Sequence, residues 1–104
     1  MGKARSITIA TRAFAKAGDA TLFFREMLNR YKVGDRVSDA DGLDLAALVE
    51  RHDEKDEKVG SGIAYFAVEA APEPYSGQCF WIVRKDGTRI DISYSHCLEK
   101  KPYD

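Results

Sequence analysis

Residues 79–97 read CFWIVRKDGTRIDISYSHC, and this stretch decides the fold because two β-forming runs flank Asp86-Gly87. Glycine adopts a positive φ without steric cost, so an Asp-Gly pair between two such runs is a strong hairpin signal. The stretch therefore predicts two antiparallel strands in the C-terminal part of the chain.

Two registers stay open for this hairpin. If Asp86-Gly87 is a two-residue turn, Val83 pairs with Ile90 and Arg84 stands opposite Arg89. Like charges directly opposite each other are unfavourable unless an anion lies between them.

The other register places Lys85 in a three-residue loop that ends in a G1 bulge. Ile82 then pairs with Ile90, and Phe80 pairs with Ile92. Asp-Gly serves both turn types, so the turn residues do not decide between the two registers.

Upstream of the hairpin, the apolar spacing predicts two helices. Asp19 is a candidate N-cap for a helix over 20–31, and Ser38 and Asp41 have the spacing of a capping box for a second helix that reaches His52. The acidic residues at the start of the second helix interact favourably with the helix dipole, so their presence requires no metal or catalytic role.

The remaining segments predict strands and loops. Alternation predicts a strand over 6–11, a longer strand occupies 63–71, and the charged run 53–58 (DEKDEK) reads as a solvated connector. The chain is predicted to be an α+β domain of order β-α-α-β-β-β, with two helices packed on one face of a mainly antiparallel, three- or four-stranded sheet. Residues 1–104 are expected to form this single domain.

Composition limits the cellular setting. The 104 residues are 44% hydrophobic, and no secretion signal or 18-residue apolar run is present. We therefore expect a cytoplasmic protein without a membrane partner, in which Cys79 and Cys97 are reduced. Charge is uneven along the chain: 8 Lys or Arg stand against 3 Asp or Glu in residues 1–36, and 3 against 8 in residues 37–58.

The hairpin carries the candidate binding residues. On an open sheet face, Arg84, Lys85 and Arg89 can combine with an aromatic residue of the hairpin, either Trp81 or Phe80, and with Tyr65 from the neighbouring strand. Aromatic stacking together with phosphate contacts is how sheet-faced modules bind single-stranded nucleic acid. Simple solvation of the three cations is the competing interpretation.

The same stretch offers little support for catalysis or metal binding. Asp91, Ser93 and His96 lie too close along one strand to converge as a catalytic triad. The cysteines and histidines lack zinc-ligand spacing, and His52 lies on the apolar helical stripe, as a buried core histidine would. We therefore predict no catalytic residue, metal or cofactor, and no small-molecule substrate is evident.

Four segments in succession carry a resemblance to a known family: residues 31–37 (YKVGDRV), 39–52, 58–63 (KVGSGI) and 79–97. The chain resembles the small domain named after the plant protein "defective chloroplasts and leaves", the DCL-type domain, and is most similar to its stand-alone bacterial form. The resemblance implies a link to RNA. The plant namesake is connected with ribosomal RNA maturation, and similar domains lie at the C-terminal end of the largest subunits of plant-specific RNA polymerases.

The leading hypothesis is a non-catalytic RNA-associated module. Its partner would be RNA, and its process would be ribosomal RNA maturation. The alternative is an adaptor that docks on RNA polymerase or ribosome-assembly proteins through the same face or a sheet edge. An uncharacterised enzyme is the third hypothesis.

Overall fold

The computed structural model describes residues 6–101. The outermost parts of the predicted domain, and the start of the basic segment 1–36, lie outside this range. The elements follow in chain order: β1 (Ile7–Ile9), β2 (Arg12–Phe14), α1 (Ala17–Asn29), α2 (Asp39–Val49), α3 (Lys55–Val59), β3 (Ile63–Ala70), β4 (Gln78–Arg84), β5 (Arg89–Ile92) and α4 (Tyr94–Cys97). Within residues 6–101, none of the helices has the length and apolar character needed to cross a membrane.

The main sheet is antiparallel and has the order β3-β4-β5. The segment before α2 runs along the free edge of β3, where Arg36 stands opposite Ala67. The Val37 amide donates to the carbonyl of Phe66 at 2.9 Å. The predicted α+β class, with its helices on one face of a mainly antiparallel sheet, is confirmed.

The hairpin adopts the register with a three-residue loop. Ile82 stands opposite Ile90, and Phe80 stands opposite Ile92. Gly87 has a φ of +88°, as the left-handed position of a G1 bulge requires. The two-residue turn is wrong, and Arg84 does not face Arg89.

The core lies between the helices and one side of the sheet, here called the inner face. The stripes of α1 and α2 predicted from the spacing are buried there. The largest fully buried side chains are Phe24, Phe80, Ile7, Met27, Leu45, Leu48, Ile82, Val49 and Val68, with the thiol of Cys97. Burying one large apolar side chain contributes about 1.5–3 kcal/mol, so this core is the main source of stability.

Several predicted details are wrong. Helix α2 ends at Val49, so His52 lies beyond the helix that was predicted to reach it. Helix α1 begins at Ala17 with Lys16 as the N-cap, so Asp19 lies within the first turn and not at the cap. Its carboxylate still favours the helix dipole from that position. Strand β1 pairs only with β2, in a separate two-stranded sheet, so it does not extend the main sheet.

The charged run DEKDEK is not a connector, because most of it forms helix α3. The Arg84 guanidinium donates to the carbonyl of Glu57 at 2.8 Å and to the carbonyl of Lys58 at 3.0 Å. Carbonyls at a helix C-terminus lack partners within the helix, and Arg84 supplies donors for two of them. A residue distant in sequence therefore stabilises α3.

A polar network joins the end of α1 to the start of α2. The Tyr31 hydroxyl donates to the Asp41 carboxylate at 2.6 Å, and Arg30 donates to the same carboxylate at 3.0 Å. The Ser38 hydroxyl accepts from the Asp41 amide, which confirms the predicted N-cap. Burial raises the pKa of Asp41, but the hydrogen bonds from Tyr31 and Arg30 outweigh it and hold that pKa below its usual value.

We expect Asp41→Asn to destabilise the protein by about 1 kcal/mol at pH 7. The pKa of Asp41 is lower in the folded protein than in the unfolded chain, so the ionised carboxylate favours folding. This contribution is present above about pH 4 and is lost as the pH falls through the folded pKa. Urea unfolding at pH 7 and near pH 3 should show the difference between wild type and variant shrinking in acid. Asp39→Asn, in the same helical turn, is the control, and a difference that grows in acid would contradict this assignment.

Candidate functional site

The side of the sheet away from the core, here called the outer face, holds the candidate site. Strand alternation places eight side chains on it: Tyr65, Ala67, Glu69, Cys79, Trp81, Val83, Arg89 and Asp91. Ala67 and Val83 are only 4% and 6% exposed although they lie outside the main core cluster. The outer face therefore has an apolar centre of its own, next to the half-buried Tyr65 and Trp81.

Arg36 also belongs to this face. Its pairing with Ala67 directs the side chain outwards, and its guanidinium lies 4.3 Å from the centre of the Tyr65 ring. A guanidinium stacked on an aromatic ring is held in place while its edge donors stay accessible. The stack is an arrangement suited to a planar, anionic ligand.

A second arginine crosses the outer face. Arg89 on β5 donates to the Glu69 carboxylate on β3 at 2.9 Å, so its side chain passes over β4. The Trp81 indole nitrogen donates to the carbonyl of Ala70 at 3.2 Å, which fixes the ring beside this ion pair. Arg36 and Arg89 are balanced on this face by the carboxylates of Glu69 and Asp91.

The structure brings together three of the five predicted site residues. Tyr65, Trp81 and Arg89 share the outer face, whereas Arg84 follows Phe80 and Ile82 on the inner side and binds α3. Lys85 is exposed at the hairpin turn, and its aliphatic part runs beside Gly62, where a Cβ would lie 3.0 Å from it.

Two charged residues of the outer face were missed by the sequence reasoning. Arg36 lies in the YKVGDRV segment, and only its pairing with β3 reveals its position. Glu69 alternates with Ala67 and Tyr65 along the predicted strand, so its place on the face could have been deduced from the period of two. Its ion pair with Arg89 depends on the register.

Two arginines in the described part of the basic segment pair with carboxylates of α2. Arg12 donates to the Asp44 carboxylate at 3.0 Å and lies 4.4 Å from the centre of the Phe23 ring. Arg30 is paired with Asp41. Some of the charges that are segregated along the sequence therefore pair across the helices, and Arg36, in the same segment, reaches the outer face.

Neither cysteine is poised for thiol chemistry. Cys79 and Cys97 are both free. Burial raises the pKa of Cys97 to about 12, and it raises the pKa of Cys79 as well. Because the thiolate is the nucleophile and metal ligand, both thiols are poorly suited to either role at neutral pH.

His52, Asp53 and His96 form a cluster at the opposite end of α2 from Asp41. Each residue offers a ligand atom, and these atoms lie within 4.8 Å of one another. The Asp53 Oδ1 atom is 2.8 Å from His96 Nε2 and 3.4 Å from His52 Nδ1. His52 is buried, as predicted, and burial lowers its pKa, with smaller contributions from His96 and Lys58.

The fold and the outer face define a small α+β domain with a charge-balanced, aromatic sheet surface. A family described as "Protein of unknown function (DUF3223)" matches residues 25–98, and the chain belongs to this family. The predicted DCL-type domain is confirmed, because the chain is 39% identical over 80 residues to "Protein DCL, chloroplastic" of Solanum lycopersicum. It is 37% identical over 87 residues to "Protein DCL homolog, chloroplastic" of Arabidopsis thaliana.

The aligned regions have different extents in the other proteins. They cover 74% and 78% of this chain but only 36% and 40% of the two DCL proteins. The chain is also 33% identical over 69 residues to "DNA-directed RNA polymerase V subunit 1" of Arabidopsis thaliana. This match covers 65% of the chain and 4% of the polymerase subunit. The solution structure of an uncharacterized protein from Rhodospirillum rubrum superposes with a TM-score of 0.81 at 43% identity, covering 93% of this chain and 91% of that one. This extent fits the expected bacterial form of the domain.

Proposed function

We propose that this protein is a cytoplasmic, non-catalytic RNA-associated module that binds single-stranded RNA on its outer face. The observation that carries the proposal is the stack of Arg36 on Tyr65, on the same face as Trp81 and Arg89. Bases stack on exposed aromatic rings, and guanidinium groups bind phosphates. The relative named as an RNA polymerase subunit supports a place beside RNA, and ribosomal RNA maturation is the process we propose.

The face has separate roles for its rings and its arginines. Trp81 supplies one stacking surface, and the Arg36 guanidinium, which lies over the Tyr65 ring, supplies a second plane with donors at its edge. Arg89 is held by Glu69 in the free protein, so a phosphate has to replace that carboxylate. Glu69 therefore opposes RNA binding, and its removal should act in the opposite direction to the removal of Arg89.

We expect Tyr65→Ala or Trp81→Ala to weaken RNA binding by about tenfold, since stacking contributes about 1–3 kcal/mol per base. Arg36→Ala combined with Arg89→Ala should weaken binding and lower the salt dependence by about two phosphate contacts. Glu69→Gln should tighten binding severalfold. The measurement is fluorescence anisotropy with labelled ribosomal RNA fragments and single strands of about 12 nucleotides, at about 50 and about 200 mM salt.

Matched controls lie on the exposed side of α1. Glu26→Gln removes one negative charge, as Glu69→Gln does, and Arg25→Ala removes one positive charge away from the outer face. Each should leave RNA affinity within about twofold of wild type. The proposed site is wrong if the double arginine variant binds RNA as wild type does, or if Glu69→Gln weakens binding.

A protein-docking adaptor is the second candidate function. The apolar centre at Ala67 and Val83 and the balanced charges around it favour this alternative, because a nucleic-acid surface usually carries excess positive charge. Docking on RNA polymerase or a ribosome-assembly protein would be nearly independent of salt, whereas RNA binding would fall steeply between the two salt concentrations.

A further inference from the structure

We propose that His52, Asp53 and His96 form a binding site for a divalent transition-metal ion, with Zn²⁺ as its best-fitting occupant. The two histidines of this chain stand with their ring centres 4.7 Å apart, and Asp53 lies beside both. Imidazole suits zinc, copper, nickel and iron, while magnesium and calcium prefer oxygen ligands. Two imidazoles and one carboxylate are therefore a donor set for zinc-like ions.

The end of α2 and helix α4 position the three ligands. His52 lies just after α2, where its amide donates to the carbonyl of Val49 at 2.8 Å. His96 lies in α4, where its amide donates to the Ser93 hydroxyl at 3.3 Å and so caps the helix. Residues 43 positions apart in the chain, Asp53 and His96, are thereby brought into contact.

The distances need little adjustment to fit an ion. Zinc binds histidine nitrogen at about 2.0–2.1 Å, so ligand atoms around a tetrahedral ion lie about 3.3 Å apart. The ligand atoms of this cluster lie within 4.8 Å of one another. Asp53 and His96 are on the surface, with side chains 62% and 38% exposed, so both can close on an ion while the buried His52 stays fixed.

The surroundings supply orientation and access. Glu99 Oε1 lies 3.5 Å from His96 Nδ1, so a carboxylate faces the ring nitrogen opposite the one that points at Asp53. Carboxylates in this position orient metal-binding histidines and make them more basic. A cavity of about 470 Å³, lined in part by His52, Asp53, Glu50 and Asp56, opens next to the cluster and leaves room for a water ligand.

One hydrogen bond provides a specific reporter of occupancy. His52 Nδ1 accepts a hydrogen bond from the Glu54 amide at 2.9 Å, so this nitrogen carries a lone pair and no proton. An ion bound at Nδ1 displaces the Glu54 amide, which must then change its NMR signal.

The test is a titration of the untagged, chelator-treated 104-residue chain with Zn²⁺, monitored by calorimetry and by ¹H–¹⁵N NMR. We expect one ion per chain with an affinity of about micromolar, shifts of both histidine rings and of the Glu54 amide, and no competition by Mg²⁺. His96→Ala and Asp53→Asn should each weaken binding at least tenfold. Glu99→Gln should weaken it about tenfold.

The controls distinguish this site from other ligands on the chain. Asp56→Asn changes an exposed carboxylate that lines the same cavity, and it should bind Zn²⁺ as wild type does. Cys79→Ser should also leave the affinity unchanged. The proposal is overturned if Zn²⁺ does not bind at up to about millimolar concentration, if binding is unaffected by His96→Ala and Asp53→Asn, or if Cys79→Ser abolishes it.

Discussion

Replacing Phe24 with alanine is expected to lower the free energy of unfolding by about 3–5 kcal/mol, the range for a large aromatic side chain removed from a core. Phe24 is completely buried, and its ring lies 5.0 Å from the ring of Phe23 and 6.4 Å from the ring of Phe14. The substitution removes packing between α1 and the β1–β2 hairpin as well as within the main core. A domain of this size is stable by about 5–15 kcal/mol, so the variant should be close to unfolding.

Urea unfolding followed by circular dichroism measures this effect. Leu22→Ala, in the same helix but at a position 44% exposed, is the matched control and should change stability by less than about 1 kcal/mol. Alanine is the better helix former at both positions, so a similar loss for Leu22→Ala and Phe24→Ala would mean that the difference in burial does not determine the effect. That result would contradict the assignment of Phe24 to the core.

The hairpin could be predicted from the sequence because its signal is local. Asp86-Gly87 and the runs on both sides specify a reversal of the chain, and the resemblance to the family pointed to the same stretch. The register could not be chosen, because Asp-Gly is compatible with both turn types. The choice depends on which side chains fill the core, and Phe80 and Ile82 are the residues of β4 that lie against the helices.

Helix α3 shows a limit of local reasoning. The run DEKDEK has no apolar stripe, and in isolation such a short helix is marginal in water. Arg84 stabilises it by donating to the carbonyls of Glu57 and Lys58, which lie 27 and 26 residues away in the chain. The hairpin register places Arg84 on the inner side of β4, from which it reaches α3, so the unpredicted register contributes to both the missed helix and the altered site.

The candidate site was predictable only where it depends on local strand alternation. Tyr65, Trp81 and Arg89 share a face because side chains alternate between the two faces of a sheet along each strand. This alternation can be read from the sequence. Arg36 reaches that face through pairing between a loop and β3, and His52 meets His96 through the packing of α4 near the end of α2. Neither contact has a spacing motif, so neither could be found before the fold was known.

The second large effect is expected for Arg51→Leu, which should destabilise the protein by about 2–4 kcal/mol. The Arg51 side chain is only 6% exposed, and it donates to the carbonyl of Cys97 at 2.9 Å and to the carbonyl of Glu99 at 3.2 Å. These carbonyls lie at and just after the C-terminal end of α4, where a helix has no internal donors to offer them. Leucine fills similar space but leaves both carbonyls without this donor, and the buried carbonyl of Cys97 alone costs about 1–3 kcal/mol when it is unsatisfied.

Urea unfolding and a thiol probe together test whether Arg51 anchors α4. In a Cys79→Ser background, Cys97 is the remaining thiol, and it is fully buried in the native protein. Arg51→Leu should make Cys97 react at least tenfold faster with a disulfide reagent under native conditions, because α4 separates from α2 more often. Lys55→Ala, which alters the exposed contact with Glu50, is the control and should change stability by less than about 1 kcal/mol. Unchanged Cys97 reactivity in a clearly destabilised Arg51→Leu protein would show that Arg51 stabilises the fold without holding α4, and would refute its role as an anchor.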